Sequence, residues 1–312
     1  MRTKILDVLC CPLCKGTLGL VEEKTEEGEI KDGSLKCTNC HSFWQIINGV
    51  PRMITDLGDR KKLSESWGFE WDKKAEGKLE IDTSYGKTEK QELKFCLDTL
   101  GVTEEGLRGK MVLDAGCGYG RLTRALGRYG AEVFGIDFAS SIELIHRLGK
   151  HQENVHIIQA DILNPPFRNE SFDYVWSNLS ICFVSHPDQA FLKLSGLVKP
   201  KGKIFVSVPD KANPTFVVKV RQFLKITHKI PKEVLLYVCW GLAPFLFWTK
   251  KLLRKEKTTL RENVFFLFNS LHSNLMTQHT RDEVLSWFRR DRLQDVKYTC
   301  IGGGIKVTGV KG

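Results

Sequence analysis

Two groups of residues in this chain have the types and spacing for chemistry. The first is the run Val112-Leu-Asp-Ala-Gly-Cys-Gly-Tyr-Gly120, an apolar strand that leads into three glycines spaced one apart. Gly116, Gly118 and Gly120 let backbone N–H groups at a helix start approach a bound ligand closely. Seventeen residues after Gly120, Asp137 closes a second apolar run, Val133-Phe-Gly-Ile136, and a carboxylate there can accept from both hydroxyls of a ribose. Asp114 decides what else the ligand carries. A carboxylate beside the glycine turn repels a phosphate and attracts an amino group, and the pattern G-x-G-x-G differs from the G-x-G-x-x-G of dinucleotide sites. The ligand implied has an ammonium and a ribose but no phosphate, which S-adenosylmethionine (SAM) satisfies.

The second group is Cys11-Pro-Leu-Cys14 and Cys37-Thr-Asn-Cys40, with 22 residues between the pairs. Each pair on a tight turn aims two thiolates at one ion, and two such turns complete the tetrahedron of a structural zinc. Cys10 and His41 flank the set; the C-x₂-C geometry favours Cys11 over Cys10, and His41 directly after Cys40 reads as a surface residue. So small a module buries little apolar surface, and the metal supplies much of its folding energy. Four thiolates leave no open coordination position, which points to docking or substrate presentation rather than chemistry.

A frame must bring these residues together. Met111–Asp114, Glu132–Asp137, His156–Gln159, Tyr174–Ser177 and Lys203–Val208 are apolar runs of strand length. Helical patterns at Arg121–Arg128, Ser141–Lys150 and Pro187–Val198 lie between them, and this alternation predicts an α/β fold with helices on both faces of a parallel sheet. Lys87–Leu100 reads as an amphipathic helix. Val296–Thr299 and Ile305–Val310, around Gly302-Gly303-Gly304, read as a terminal strand pair. Residues 56–80 are charged and broken by glycines, a linker with local order that would leave the cysteine module independent of the sheet. Inside it Ser66-Trp-Gly-Phe-Glu-Trp71 places three aromatics in five residues, which must pack on something.

The run 112–120 resembles the first motif of class I SAM-dependent methyltransferases. The resemblance extends through Gly135-Ile-Asp-Phe138, Gln159-Ala-Asp-Ile162, Phe172-Asp-Tyr-Val-Trp-Ser-Asn178 and Leu197-Val-Lys-Pro-Lys-Gly202. It implies a Rossmann-like seven-stranded sheet that binds SAM. Asp114 would lie near the methionine end, Gly116, Gly118 and Gly120 would let the chain pass close, and Asp137 would take the ribose. Phe138 would stack near the adenine, Asp161 would accept from its amino group and the Ile162 backbone would help fix the ring. Asn178 and Leu179 stand where the family aims the methyl group. Cys117, in the same loop, is poorly placed as a nucleophile.

Phe43-Trp-Gln-Ile-Ile-Asn-Gly-Val-Pro-Arg-Met53 resembles the end of the small zinc-ribbon proteins that activate tRNA and release-factor methyltransferases, here fused in cis. The segment Ser66–Trp71 resembles one that precedes the SAM domain in methyltransferases of sugar and natural-product clusters, implying a lid over cofactor or substrate; a hydrophobic plug between ribbon and sheet is the other reading. Gln278-His-Thr-Arg-Asp-Glu-Val-Leu-Ser-Trp-Phe288 resembles a segment of the same enzymes. Thr280 with Glu283 forms a capping box there, His279 before it is the candidate general base, and His272 is the second choice. The resulting division is a zinc ribbon over 1–56, a linker and helical cap over 57–100, and a methyltransferase domain over 101–312 with a helical insertion at 211–275.

Net charge is +10, unevenly placed: residues 1–198 carry −4 and residues 199–312 carry +14. A basic C-terminal part favours an anionic partner such as a phospholipid surface, a phosphorylated substrate or RNA. Val234–Trp248 has no charge in fifteen residues and is bounded by lysines, yet is short of the roughly 20 residues that span a bilayer. It reads as a lid over an apolar substrate cavity, or as a kinked helix pair in a membrane interface with 234–257 making the contact. The start of the chain lacks the apolar run of a secretory signal, and ten cysteines in that context suggest a cytoplasmic, reducing setting. Methylation of a small or amphiphilic acceptor (a lipid, natural-product or glycan intermediate) is the leading expectation. RNA methylation is the second, since one ribosomal-RNA methyltransferase family also joins a zinc ribbon to this fold, and a non-catalytic scaffold is the third.

Overall fold

The computed structural model describes residues 1–56, 58–79, 83–84, 87–149, 151–212, 227, 230–253, 259–272, 276–301 and 303–312. Its N-terminal part is a meander of four strands: β1 (Leu18–Glu26), β2 (Glu29–Cys37), β3 (Phe43–Ile47) and β4 (Val50–Met53). Helix α1 (Lys61–Ala75) follows, then a short hairpin of β5 (Thr83–Ser84) and β6 (Lys87–Thr88), and α2 (Glu89–Leu100). Thr88 caps α2 through a reciprocal box with Gln91, and Gly101 ends it in the left-handed conformation at φ 62°.

Alternation then sets in: β7 (Met111–Ala115), α3 (Arg121–Arg128), β8 (Glu132–Asp137), α4 (Ile142–Gly149), β9 (Val155–Ala160), β10 (Phe172–Asn178), α5 (Pro187–Ser195) and β11 (Val198–Pro209). After it come α6 (Lys232–Leu253), α7 (Leu260–His272), α8 (Arg281–Arg290), β12 (Gln294–Ile301) and β13 (Gly304–Val310). β7, β8 and β9 are apolar almost throughout because helices cover both faces of the parallel region, so no in–out alternation is needed. Rings fill the layers beside them. Trp176 stacks on Phe205 at 3.8 Å, and Phe134 meets Phe167 and Phe172 edge-on.

The sheet has eleven strands, not seven, in the order β1-β2-β3-β4-β9-β8-β7-β10-β11-β13-β12. Seven come from residues 111–310, and the cysteine module adds its four at one edge. The seam is the parallel pairing of Arg52 with Gln159 and Met53 with Ala160. Arg52 also donates to the Gln159 side chain at 3.1 Å and pairs with Glu143 on α4. A second seam joins residues 8–10 to residues 166–168, where Arg168 N donates to Val8 O at 2.9 Å and Cys10 N to Pro166 O at 3.0 Å. One buried apolar cluster runs from Leu9, Leu35 and Met53 to Ile136, Ile158 and Phe167.

The expectation of an independent ribbon is therefore corrected. An unpaired β9 edge would leave backbone groups open, and β4 covers the edge at its last two residues, Gln159 and Ala160. The local order expected between module and sheet is helix α1, which spans Lys61–Ala75. Gly68 permits its close docking: a Cβ there would stand 2.0 Å from Ser140 Oγ.

This continuity makes a thermodynamic prediction. Met53 is fully buried at the seam, so Met53→Ala should cost ~2–5 kcal/mol. Denaturant unfolding followed by tryptophan fluorescence and by far-UV circular dichroism should give one coincident transition at lower denaturant. Two separated transitions would show that the module folds apart from the sheet.

Candidate functional site

The C-terminal ends of β7, β8 and β10 open into a cleft of about 150 Å³. The turn after β7 forms its floor. Gly116 sits at φ +82°, and a Cβ on it would come within 2.2 Å of Ser180 Oγ, so this position requires glycine. Gly116 N and Cys117 N both donate to Ile136 O, which binds the turn to β8. Asp137 holds the turn from the side: its carboxylate accepts from Gly118 N and Ala139 N, each at 2.9 Å.

Asp114 and Asp137 are both buried and both line the cleft. Burial pushes the Asp114 carboxyl up to about 7, with Glu92 and Asp137 adding to the rise, while the Thr123 hydroxyl, donating at 2.6 Å, opposes it. Burial likewise raises Asp137, against the backbone donors that favour its charged form. Two buried carboxylates held above their usual range form a site that a cation and hydroxyl donors would complete. Trp71 Nε1, in the same cleft, is buried without a hydrogen-bond partner among the described residues. These residues fit the ammonium and ribose of SAM.

Of the residues expected from the sequence, Asp114, Gly116, Gly118, Asp137, Phe138, Ile162 and Asn178 line the cleft. Gly120 does not; it stands in the left-handed conformation at the start of α3. Asp161 does not either. Its two oxygens accept from the two terminal nitrogens of Arg60, and one also accepts from Leu163 N, so its carboxylate anchors the segment before α1. Leu179 adopts φ 54°, unusual for a branched residue, at the rim where β10 ends. Its N–H donates to Ser207, whose hydroxyl donates to Asn178 at 2.5 Å.

His279 lies outside the cleft. Its Nδ1 is 2.7 Å from Glu283 Oε1, its Nε2 is 2.8 Å from Thr277 Oγ1 and its ring meets Trp287 edge-on. With both nitrogens engaged it fixes the start of α8, where Thr280 Oγ1 accepts from Glu283 N, one half of the expected capping box, while the Glu283 carboxylate goes to His279 instead. The second choice, His272, is fully buried with Nε2 2.8 Å from Glu70 Oε2 and packs behind Trp67, which does line the cleft.

The cleft also contains two residues that the sequence did not announce, Arg121 and Glu92, beside the aromatic segment that it did. Arg121 donates to Glu92 at 2.8 Å through Nε, and both line the wall near Asp114. They come from the starts of two helices 29 positions apart and share no motif. Trp67 and Trp71, stacked at 5.4 Å, show that the aromatic segment of α1 walls the cleft. Lys74, from the next turn of α1, joins them.

In the cysteine module the four sulfurs of Cys11, Cys14, Cys37 and Cys40 lie within 4.8 Å of one another. Cys11–Cys40 is 3.6 Å and Cys14–Cys37 3.4 Å, close to the ~3.8 Å edge of a tetrahedron with 2.3 Å zinc–sulfur bonds. Asn39 N and Cys40 N point at Cys37 Sγ, the backbone support expected of a thiolate. Cys10 and His41 are not in the cluster.

A cleft at the strand ends of an α/β sheet, with a glycine turn and two buried carboxylates, lies where open α/β sheets take their ligands. Residues 113–206 match the family "Methyltransferase domain" and residues 2–49 match the family "Trm112p-like protein". Malonyl-[acyl-carrier protein] O-methyltransferase of Pseudescherichia vulneris is 32% identical over 121 residues, 39% of this chain and 46% of that protein. Demethylmenaquinone methyltransferase of Staphylococcus haemolyticus is 34% identical over 131 residues, 40% of this chain and 53% of that protein. The chain thus spans about half the length of these relatives. Magnesium protoporphyrin IX methyltransferase from Synechocystis PCC 6803, solved with bound SAH, shares the fold at a TM-score of 0.50 and 15% identity, over 82% of this chain and all of that one.

The raised Asp114 carboxyl predicts a pH dependence of cofactor binding. A bound ammonium favours the ionised form, so SAM affinity should rise with pH through about 7. Calorimetry below pH 7 in buffers of different ionisation enthalpy should read one proton released on binding, and Asp114→Asn should abolish that release. The same shift has an opposite consequence for the empty fold. Its carboxyl binds protons more tightly than the unfolded chain does, so stability without ligand should fall as pH rises from about 4 to 7.

Asp137→Ala should weaken SAM binding by ~1.5–3 kcal/mol, about 10- to 150-fold, through loss of the ribose acceptor. Asp137→Asn keeps an acceptor for one of the two backbone N–H groups and should lose less. Equal affinity in wild type and a folded Asp137→Ala protein would remove the ribose assignment.

Proposed function

We propose that this chain is a SAM-dependent methyltransferase acting on a small or amphiphilic acceptor, with the Trm112p-like module as a built-in stabiliser of the sheet edge. The observation that carries the reading is the pair of buried carboxylates, Asp114 leading into the glycine turn and Asp137 holding it from the neighbouring strand. Bound SAM supplies a methyl group on a sulfonium, already activated for transfer. The chain's own residues bind and orient. Asp114 receives the ammonium, Asp137 the ribose hydroxyls, and Phe138 and Ile162 the adenine edge of the cleft. Trp67 and Trp71 exclude water, which strengthens every charge interaction inside. In-line alignment of nucleophile and methyl donor provides most of what this reaction needs, so an unassigned general base is no obstacle.

An apolar acceptor is supported by the aromatic wall and by relatives named for demethylmenaquinone methylation and ubiquinone biosynthesis. RNA is the second reading, favoured by the +14 charge of residues 199–312. It is the weaker one, because stacking aromatics interleaved with Arg, the usual single-stranded RNA platform, are not the pattern of that segment. Incubation of cell extract with the protein and deuteromethyl-labelled SAM, read by mass spectrometry, should show a labelled apolar metabolite. Label confined to RNA would replace the first reading with the second.

The cysteine cluster should hold one zinc per chain. Elemental analysis of protein made with zinc present tests this, and Cys37→Ser should lose the metal. Because β4 is part of the sheet, metal loss should also lower the melting temperature of the whole protein; an unchanged value in metal-free protein would contradict the stabiliser role.

A further inference from the structure

Helix α6 has an outward face unlike that of a surface helix. At ~100° per residue, its exposed positions Val234, Tyr237, Val238, Leu242, Phe245 and Trp248 fall on one arc, together with Gly241 and Pro244. Leu235, Leu236, Cys239 and Ala243 occupy the opposite arc and pack on Val264, Phe265 and Phe268 of α7. A solvated helix places its charges on the outward arc. Here that arc carries none between 234 and 248 and exposes Tyr237 by 77%, Phe245 by 73% and Trp248 by 61%. No helix among the described residues is long and apolar enough to cross a membrane.

Charge selects the occupant. Residues 211–261 hold twelve Lys and Arg against two Glu, so this segment alone accounts for the net charge of +10. Lys232 opens α6, while Lys250 and Lys251 lie in its last turn. A second copy docking here would bring like charge to like charge. A protein partner needs about ten hydrogen bonds across an interface of ordinary size, and this arc offers only the Tyr237 hydroxyl and the Trp248 indole as polar side-chain groups. An anionic lipid surface asks for what the helix has: an apolar, aromatic-bearing face and cations at its ends.

We infer that the outward face of α6 seats this protein on an anionic lipid surface, its apolar side chains at the acyl boundary and the net positive charge of residues 211–261 favouring anionic head groups. The inference deepens the amphiphilic-acceptor reading and rests on it for its purpose. Through α7 and α1 the seated helix lies next to the cleft: Phe268 of α7 meets Phe69 of α1 at 5.7 Å, and Trp67 and Trp71 of α1 line the cleft.

The test is sedimentation of the full chain with vesicles of phosphatidylcholine alone or with about 30% phosphatidylglycerol, at salt near 0.1 M and near 1 M. Wild type should bind the anionic vesicles at least about tenfold more tightly, since each basic residue at the surface adds several-fold. High salt should weaken that binding only in part, because apolar burial is not screened. Tyr237→Glu with Phe245→Glu, both on the exposed arc, should lower binding by more than about tenfold while SAM affinity, measured by calorimetry without vesicles, stays unchanged. Absent vesicle binding, equal binding to neutral and anionic vesicles, unchanged binding of the double variant, or a wild-type dimer that the variant dissolves would each overturn the proposal. SAM affinity is read separately, so failure of the methyltransferase reading and failure of membrane seating remain distinct results.

Discussion

The parallel pairing of β4 with β9 is the constraint on which the rest of this structure leans. Two residue pairs at the seam, Arg52 with Gln159 and Met53 with Ala160, turn a metal-dependent meander and an α/β sheet into one eleven-stranded layer. The pairing covers the edge of the strand that precedes Asp161 and Ile162. The side of the cleft lined by Ala160 and Ile162 is therefore built on backbone that the module helps to hold. Arg60, reaching Asp161 from the segment just after the module, ties the same region from above.

Along the sheet, the cleft depends on carboxylates kept where they are least comfortable. Asp114 and Asp137 are buried, and burial raises both. The fold tolerates this because each is partly compensated, Asp114 by the Thr123 hydroxyl and Asp137 by two backbone N–H groups. The remaining demand for positive charge and hydroxyl donors is what the proposed cofactor, which carries both and no phosphate, would meet.

Helix α1 couples this site to the periphery. One side presents Trp67 and Trp71 to the cleft; another presents Phe69 and Glu70 to α7, where Glu70 meets His272 in a pair without solvent access. Through α7 it contacts the layer that carries α6. A segment whose composition reads as linker thus becomes the piece that joins cofactor wall, insertion and sheet.

Local chemistry was legible in the chain itself. The strand–glycine–helix turn at 112–120, the acid at 137 and the paired cysteines depend on contacts within a few residues or on backbone rules that residue type dictates, and each stands where its spacing implied. Strand and helix alternation is likewise a local, periodic signal. What required the tertiary structure was every contact between distant segments. Asp161 has the same residue type whether it faces an adenine or Arg60, and only packing brings Arg60 across 101 positions. His279 looks like a base until Thr277 and Glu283 take both its nitrogens. The charged stretch after the module conceals a helix because its apolar residues are few, and only docking against Ser140 and α7 shows their use. An unpaired strand edge has no sequence signature, so the union of module and sheet could be decided only in three dimensions.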